Sequence, residues 1–229
     1  MDLTGWTVVF DLDGTLIDTA PDLIGTVQAL LAKRDLAPVP EALMRPQISF
    51  GSRRMMRMAL AHHGQTLDDT ELDAIFAEFL AHYREHLADE SRPFPGIVEL
   101  IGRLGAAGAR LAVCTNKAEA PARELLAALD MSKHFAFVAG RDTFPICKPD
   151  PGHLTRTIAE AGGDSARAIM VGDSETDVQT AKAASVPVIG VTFGYTSIPV
   201  TELDCDAVIE SYETDAFEGA VRRLIRAED

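Results

Sequence analysis

The sequence predicts an α/β protein in which a parallel sheet is flanked by helices and carries a helical insertion. Three observations predict it. Short apolar segments alternate with helical patterns along most of the chain, as right-handed strand–helix–strand crossovers require. One stretch, residues 18–92, breaks that alternation with helical patterns and no convincing strand. Acidic residues stand directly after two of the apolar segments, where open α/β sheets bind ligands.

The first strand spans residues 6–10. It is apolar and β-branched (Trp6, Thr7, Val8, Val9, Phe10), as expected of a strand buried on both faces. The insertion follows. Within it Leu72, Ile75, Phe76, Phe79, Leu80 and Tyr83 fall on one helical face. Asp68 and Glu71 read as a capping box that starts that helix. Pro93-Phe94-Pro95-Gly96 marks the return. The chain is thus expected to divide into a core domain, residues 1–17 and 93–229, and a helical cap domain, residues 18–92. Further strands are expected at 110–114, 135–139, 168–171, 186–191 and 207–209. Helices are expected at 97–107, 118–129, 151–162, 176–185 and 214–227.

Composition narrows the function. The 229 residues are 47% hydrophobic, enough for a packed core. Against 21 basic residues stand 35 acidic ones, a formal charge of −14. No basic run offers a nucleic-acid footprint. No stretch approaches the ~20 apolar residues of a membrane span. The N-terminus is neither basic nor a long apolar run, so no targeting segment is expected. Cys114, Cys147 and Cys205 are odd in number and widely spaced, which fits a reducing, cytoplasmic setting rather than a disulfide framework.

The chemistry gathers at strand ends. Asp11 and Asp13 follow the first strand within Asp11-Leu12-Asp13-Gly14-Thr15. Alone, such a pair reads as a turn; after a strand this apolar, it reads as a site. Asp173 and Asp177 follow the strand at 168–171. Asp177 reads equally as a helix N-terminal acid. Clustered carboxylates repel unless a cation compensates, and Mg²⁺ is typically held by one or two carboxylates plus phosphate and water. Thr115 and Asn116 follow the strand at 110–114 and offer donors to phosphate oxygens. Lys148, in Cys147-Lys148-Pro149-Asp150-Pro151, offers a compact cation. Taken singly, Lys148 reads as a surface lysine and Thr115 as a helix N-cap.

Together these residues resemble the haloacid dehalogenase-like hydrolase superfamily. Its four motifs are matched in order by Asp11-Leu12-Asp13-Gly14-Thr15, Thr115, Lys148, and Gly172-Asp173 with Asp177. The segments DLDGTLIDTAPDL (residues 11–23) and KPDPGHL (148–154) further resemble bacterial phosphoglycolate phosphatases and their close relatives. The resemblance implies a Rossmann-like core with an α-helical cap. It implies that Asp11 attacks phosphorus to form an aspartyl-phosphate, while Asp13 protonates the leaving alcohol and later activates water. Mg²⁺ would be held by Asp11, Asp173 and the Asp13 carbonyl, with Asp177 holding metal-bound water or orienting its neighbours. Thr115, Asn116 and Lys148 would bind the phosphoryl group. Asp13 also points to C–O–P cleavage, since dehalogenase and phosphonate-cleaving relatives commonly lack it.

In this family the cap chooses the substrate, a small phosphorylated metabolite. The candidate loop is residues 48–54, where Arg53 or Arg54 would pair with a substrate carboxylate; the alternative is that both are solvated at a helix start. Ser49 replaces a glycine often found there in phosphoglycolate phosphatases. Met55, Met56 and Met58 are expected in the cap core, and His62 and His63 as a solvated or partly packed pair. The competing readings are a sugar-phosphate mutase, a phosphatase of another small metabolite such as a sugar phosphate, nucleotide or pyrophosphate, and a phospho-accepting regulatory module. Residues 18–25 lack the cationic or imidazole groups of a mutase hinge.

Overall fold

The computed structural model describes residues 1–213 and 215–226. In chain order the elements begin with β1 (Thr7–Phe10), β2 (Ile17–Asp18), α1 (Ala20–Ala32), α2 (Glu41–Met44), α3 (Ser52–His62), α4 (Asp69–Glu85) and β3 (Arg92–Pro93). They continue with α5 (Ile97–Ala106), β4 (Arg110–Cys114), α6 (Glu119–Ala128), β5 (Phe137–Ala139), α7 (Pro151–Glu160) and β6 (Ala168–Gly172). The last are α8 (Glu175–Ala183), β7 (Val188–Val191), β8 (Ala207–Ile209) and α9 (Ala216–Arg226). Positions 214 and 227, the ends of the helix expected last, lie outside the described residues.

Six strands form one parallel sheet in the order β5-β4-β1-β6-β7-β8. The period-two alternation of side chains sorts its residues between two cores. Val8 and Phe10 of β1 join Leu111, Val113, Ile169 and Val171 beneath α5, α6 and α9. Val9 joins Ala112, Cys114 and Met170 on the opposite face, beneath α7 and α8. Burying each large apolar side chain contributes about 1.5–3 kcal/mol, which is why β1, buried along its length, sits mid-sheet. Strand order reverses at β1, so the ends of β1, β4 and β6 flank one crevice.

Residues 18–92 hold α1 to α4, with a third apolar cluster of their own that includes Leu23, Val27, Met55, Met56, Leu72 and Phe79. Met55 and Met56 are buried there and Met58 packs against the cluster. The Asp68–Glu71 capping box is present at the start of α4. The strand-free reading of this stretch needs one correction. Asp18 and Arg92 belong to β2 and β3, which pair antiparallel as a two-residue stem. Two residues are too few to show a strand period. The strands expected over 135–139 and 186–191 begin two residues later, at Phe137 and Val188; Pro187 has no N–H for a ladder.

A buried carboxylate closes the insertion. Asp22, in the first turn of α1, accepts from Ser91 Oγ at 2.6 Å, Ser91 N at 2.7 Å and Glu90 N at 2.9 Å. The two ends of the insertion are thereby tied to each other. Among the described residues no helix is long and apolar enough to cross a membrane.

Candidate active site

Asp11 stands at the end of β1, its backbone N–H held by Val171 O of β6 at 2.9 Å. The chain then turns tightly. Gly14 adopts φ +84°, and a Cβ there would lie 2.6 Å from Asp173 Oδ2. Glycine is therefore required both for the turn and for the close approach of the two acidic loops. Asp173 follows β6. Its Oδ1 accepts from Thr15 Oγ1 at 3.1 Å and its Oδ2 from Tyr195 N at 2.7 Å.

Asp177 helps cap α8 and also pairs with the buried lysine of the site. Its Oδ2 accepts from Ser174 N and Oγ, completing a capping box at the start of α8. Its Oδ1 meets Lys148 Nζ at 2.5 Å. Lys148 is no surface lysine: it is 4% exposed and also lies 3.0 Å from Asp11 Oδ1. No donor is aligned on that buried Asp11 oxygen.

Electrostatics follow from this crowding. Burial raises the Asp11 carboxyl to about 6; Lys148 opposes the rise, while Asp177 and Asp13 add to it. Asp173 is pushed well above the carboxylate range by burial, then by Asp177 and Asp11. Burial works against the Lys148 charge, but Asp11 and Asp177 outweigh it and raise its pKa.

Asp11, Asp173 and Asp177 each offer an oxygen within 4.8 Å of the others. When all three are ionised, these buried carboxylates against one ammonium carry two excess negative charges, which one divalent cation would balance. The oxygen-only donor set and the undonated Asp11 Oδ1 fit a hard cation such as Mg²⁺.

Thr115 is buried and is not the N-cap of α6, a place taken by Ala118. Its Oγ1 accepts from Lys117 N at 3.2 Å. Asn116 Nδ2 donates to Lys148 O at 3.0 Å, so the Asn116 side chain fixes the lysine loop. Asp11, Asp13, Thr115 and Asn116 line a cavity roofed by Leu23, Ile48, Phe76, Phe79, Leu80 and Tyr83 of the insertion.

Arg53 and Arg54 are placed elsewhere. Arg53 pairs with Asp73 and Asp69 on α4, and Arg54 stacks on Phe50 at 3.9 Å. Of the loop at 48–54, the cavity wall contains Ile48, Ser49, Gly51 and Ser52 but neither arginine. Two acids in the first turns of α4 explain the attraction, for Asp69 and Asp73 hold Arg53 and Asp69 also pairs with Arg57.

Four residues escaped the reading of the sequence. Lys117 Nζ lies 3.1 Å from Asp13 Oδ1 and 4.6 Å from the Tyr83 ring centre. Burial disfavours its charge, yet Asp13 and Tyr83 together outweigh burial and raise its pKa. Thr19 Oγ1 donates to Asp13 Oδ1 at 2.7 Å. Tyr195 Oη accepts from Thr19 N at 2.7 Å and Ala20 N at 3.0 Å, and donates to Asp18 Oδ1 at 2.5 Å. Arg141 stands on the cavity rim. Lys117 alone carried a signal, two residues after Thr115 in the same strand-end loop.

A parallel α/β sheet whose switch point gathers a carboxylate cluster, a buried lysine and a roofed cavity defines a hydrolase of the phosphoryl-transfer class. The chain belongs to the haloacid dehalogenase-like hydrolase family, whose pattern matches residues 8–191. It is 50% identical over 220 residues to a phosphoglycolate phosphatase of Mesorhizobium japonicum, covering 96% of both chains. It is 45% identical over 204 residues to that of Agrobacterium fabrum, covering 89% of this chain and 88% of the other. Its fold is similar to a crystal structure of a predicted phosphoglycolate phosphatase from Haemophilus somnus, with a TM-score of 0.86 and 28% identity over 95% of this chain and 98% of that one. The enzyme is thus a phosphoric monoester hydrolase.

Proposed function

We propose that the enzyme hydrolyses 2-phosphoglycolate, with Mg²⁺ bound, through an aspartyl-phosphate on Asp11. One observation carries the reading. The least committed carboxylate of the cluster, Asp11, faces the cavity, while Asp173 and Asp177 are already engaged by Thr15, Tyr195, Ser174 and Lys148. The relatives' activity supports the choice of substrate.

Asp11, Asp173 and the Asp13 carbonyl would hold the cation, which supplies charge neutralisation between the carboxylates and the phosphoryl oxygens. A carboxylate oxygen of Asp11 attacks phosphorus, the bond to the glycolate oxygen breaks, and Asp13 delivers the proton that the leaving alkoxide needs. Water then attacks the phosphoryl group, Asp13 takes its proton, and the Asp11–phosphorus bond breaks to release phosphate. Lys148 and the Thr115 hydroxyl meet the phosphoryl oxygens; positioning and charge stabilisation are what this chemistry demands. The helical insertion acts as a cap that excludes water. The substrate is a soluble cytoplasmic metabolite, and neither nucleic acid nor membrane takes part.

Steady-state phosphate release across 2-phosphoglycolate, glycerol phosphates, sugar phosphates, a nucleotide and pyrophosphate tests this directly. We expect 2-phosphoglycolate to give the highest kcat/KM and EDTA to abolish turnover. A higher kcat/KM for another ester, or full activity in EDTA, contradicts the reading.

A further inference from the structure

Resting on the phosphoglycolate reading, we propose that Lys117 and Arg141 form the site for the substrate's carboxylate. A substrate this short fixes where its recognition groups stand. Only two atoms, an oxygen and a carbon, separate phosphorus from the carboxyl carbon, so the partner must lie beside the nucleophile. Arg53 and Arg54 are held by α4 and Phe50 and do not reach the cavity wall.

Lys117 meets that requirement. Its side chain is 7% exposed and its ammonium rests on Asp13, two residues from Asp11. Arg141 lies on the neighbouring strand-end loop, with its N–H bonded to Lys117 O at 2.9 Å. Both line the cavity. Among the described residues no carboxylate pairs with the Arg141 guanidinium, in a chain of net charge −14. A cation left without a partner on a cavity rim, in a protein so rich in acids, is placed for an anionic ligand. The insertion supplies the opposite wall from Phe76, Phe79, Leu80 and Tyr83 and offers no competing charge. Desolvation by that wall strengthens the ion pair.

The Lys117 ammonium contacts Asp13 and the Tyr83 ring. The arriving carboxylate takes over donors of the Lys117 ammonium, and Arg141 closes on it from the rim. Selectivity for a carboxylated ester thus comes from the two core loops, and the insertion sets the size of the alcohol.

The test compares kcat/KM for 2-phosphoglycolate and 2-hydroxyethyl phosphate, which differ in the carboxylate alone. In the native enzyme we expect 2-phosphoglycolate to be strongly preferred. Arg141→Gln should cut that preference by roughly 10- to 100-fold, the range for losing a hydrogen bond to a charged group. Arg141→Lys should keep most of it. Lys117→Met should lower turnover of both esters through Asp13 and also erase the preference, so the ratio is what is read. A native enzyme without the preference overturns both the subsite and the phosphoglycolate reading. A preference that survives in Arg141→Gln and Lys117→Met overturns the subsite alone.

Discussion

At the scale of single residues the site separates two acids by their surroundings. Asp11 is packed among carboxylates, with one ammonium for relief; Asp13 is held by Thr19 and Lys117. Asp13→Asn removes the proton donor but leaves the backbone carbonyl, so kcat should fall by roughly 10²- to 10⁴-fold while Mg²⁺ binding by calorimetry changes little. Loss of Mg²⁺ binding in that variant would assign its side chain to the metal instead. Acidity gives a second check. Burial raises the Asp11 carboxyl to about 6, so protons and cation compete for it below that pH. As pH falls from 7 to 5 Mg²⁺ affinity should weaken, by up to about tenfold per pH unit for each proton displaced. An affinity constant across that range would show that Asp11 does not ligate. Asp11, Asp13, Thr115 and Asp173 stood out because each follows an apolar strand, and Lys148 because it lies in a proline-bounded loop before a helix. Arg53 and Arg54 misled because sequence shows cations near the cap loop without showing what holds them, the acids of α4 for Arg53 and the Phe50 ring for Arg54.

At the scale of elements, the joint between sheet and insertion was the least legible part. Its stem strands are two residues each, and its keystone comes from far along the chain. Tyr195 lies 176 residues from Thr19, yet its hydroxyl accepts the first N–H groups of α1 while its own N–H holds Asp173. These are among the orphan donors that every helix start must satisfy. No local pattern announces such a partner. Tyr195→Phe should lower stability by about 1–3 kcal/mol in denaturant unfolding, because buried donors lose their acceptor. An unchanged midpoint would mean that water replaces the phenol without cost. By contrast α4 was legible to its cap, since Asp68 and Glu71 act locally. Its predicted apolar face divides between the insertion's core and the cavity roof, as Leu72 is buried while Phe76 and Leu80 are half-buried beside the site. Periodicity marks a face without saying what lies opposite.

At the scale of the whole molecule, alternation of strands and helices was enough to foresee a parallel sheet, and the break over residues 18–92 enough to foresee the insertion. Strand order was not legible, because β1 pairs with β4 and β6, elements about a hundred and more residues away. That order is what turns a weak Asp-x-Asp signal into a site: it sets Asp11 between Thr115 on one side and Asp173 on the other. The central claim is that Asp11 accepts the phosphoryl group. Rapid acid quenching of the native enzyme during turnover of 2-phosphoglycolate with Mg²⁺, followed by peptide mass spectrometry, reads it most directly. The phosphoryl group should appear on the peptide carrying Asp11 and be absent when Asp11→Asn is treated alike. A phosphoryl group on any other residue, or native rates of phosphate release by Asp11→Asn, would contradict it.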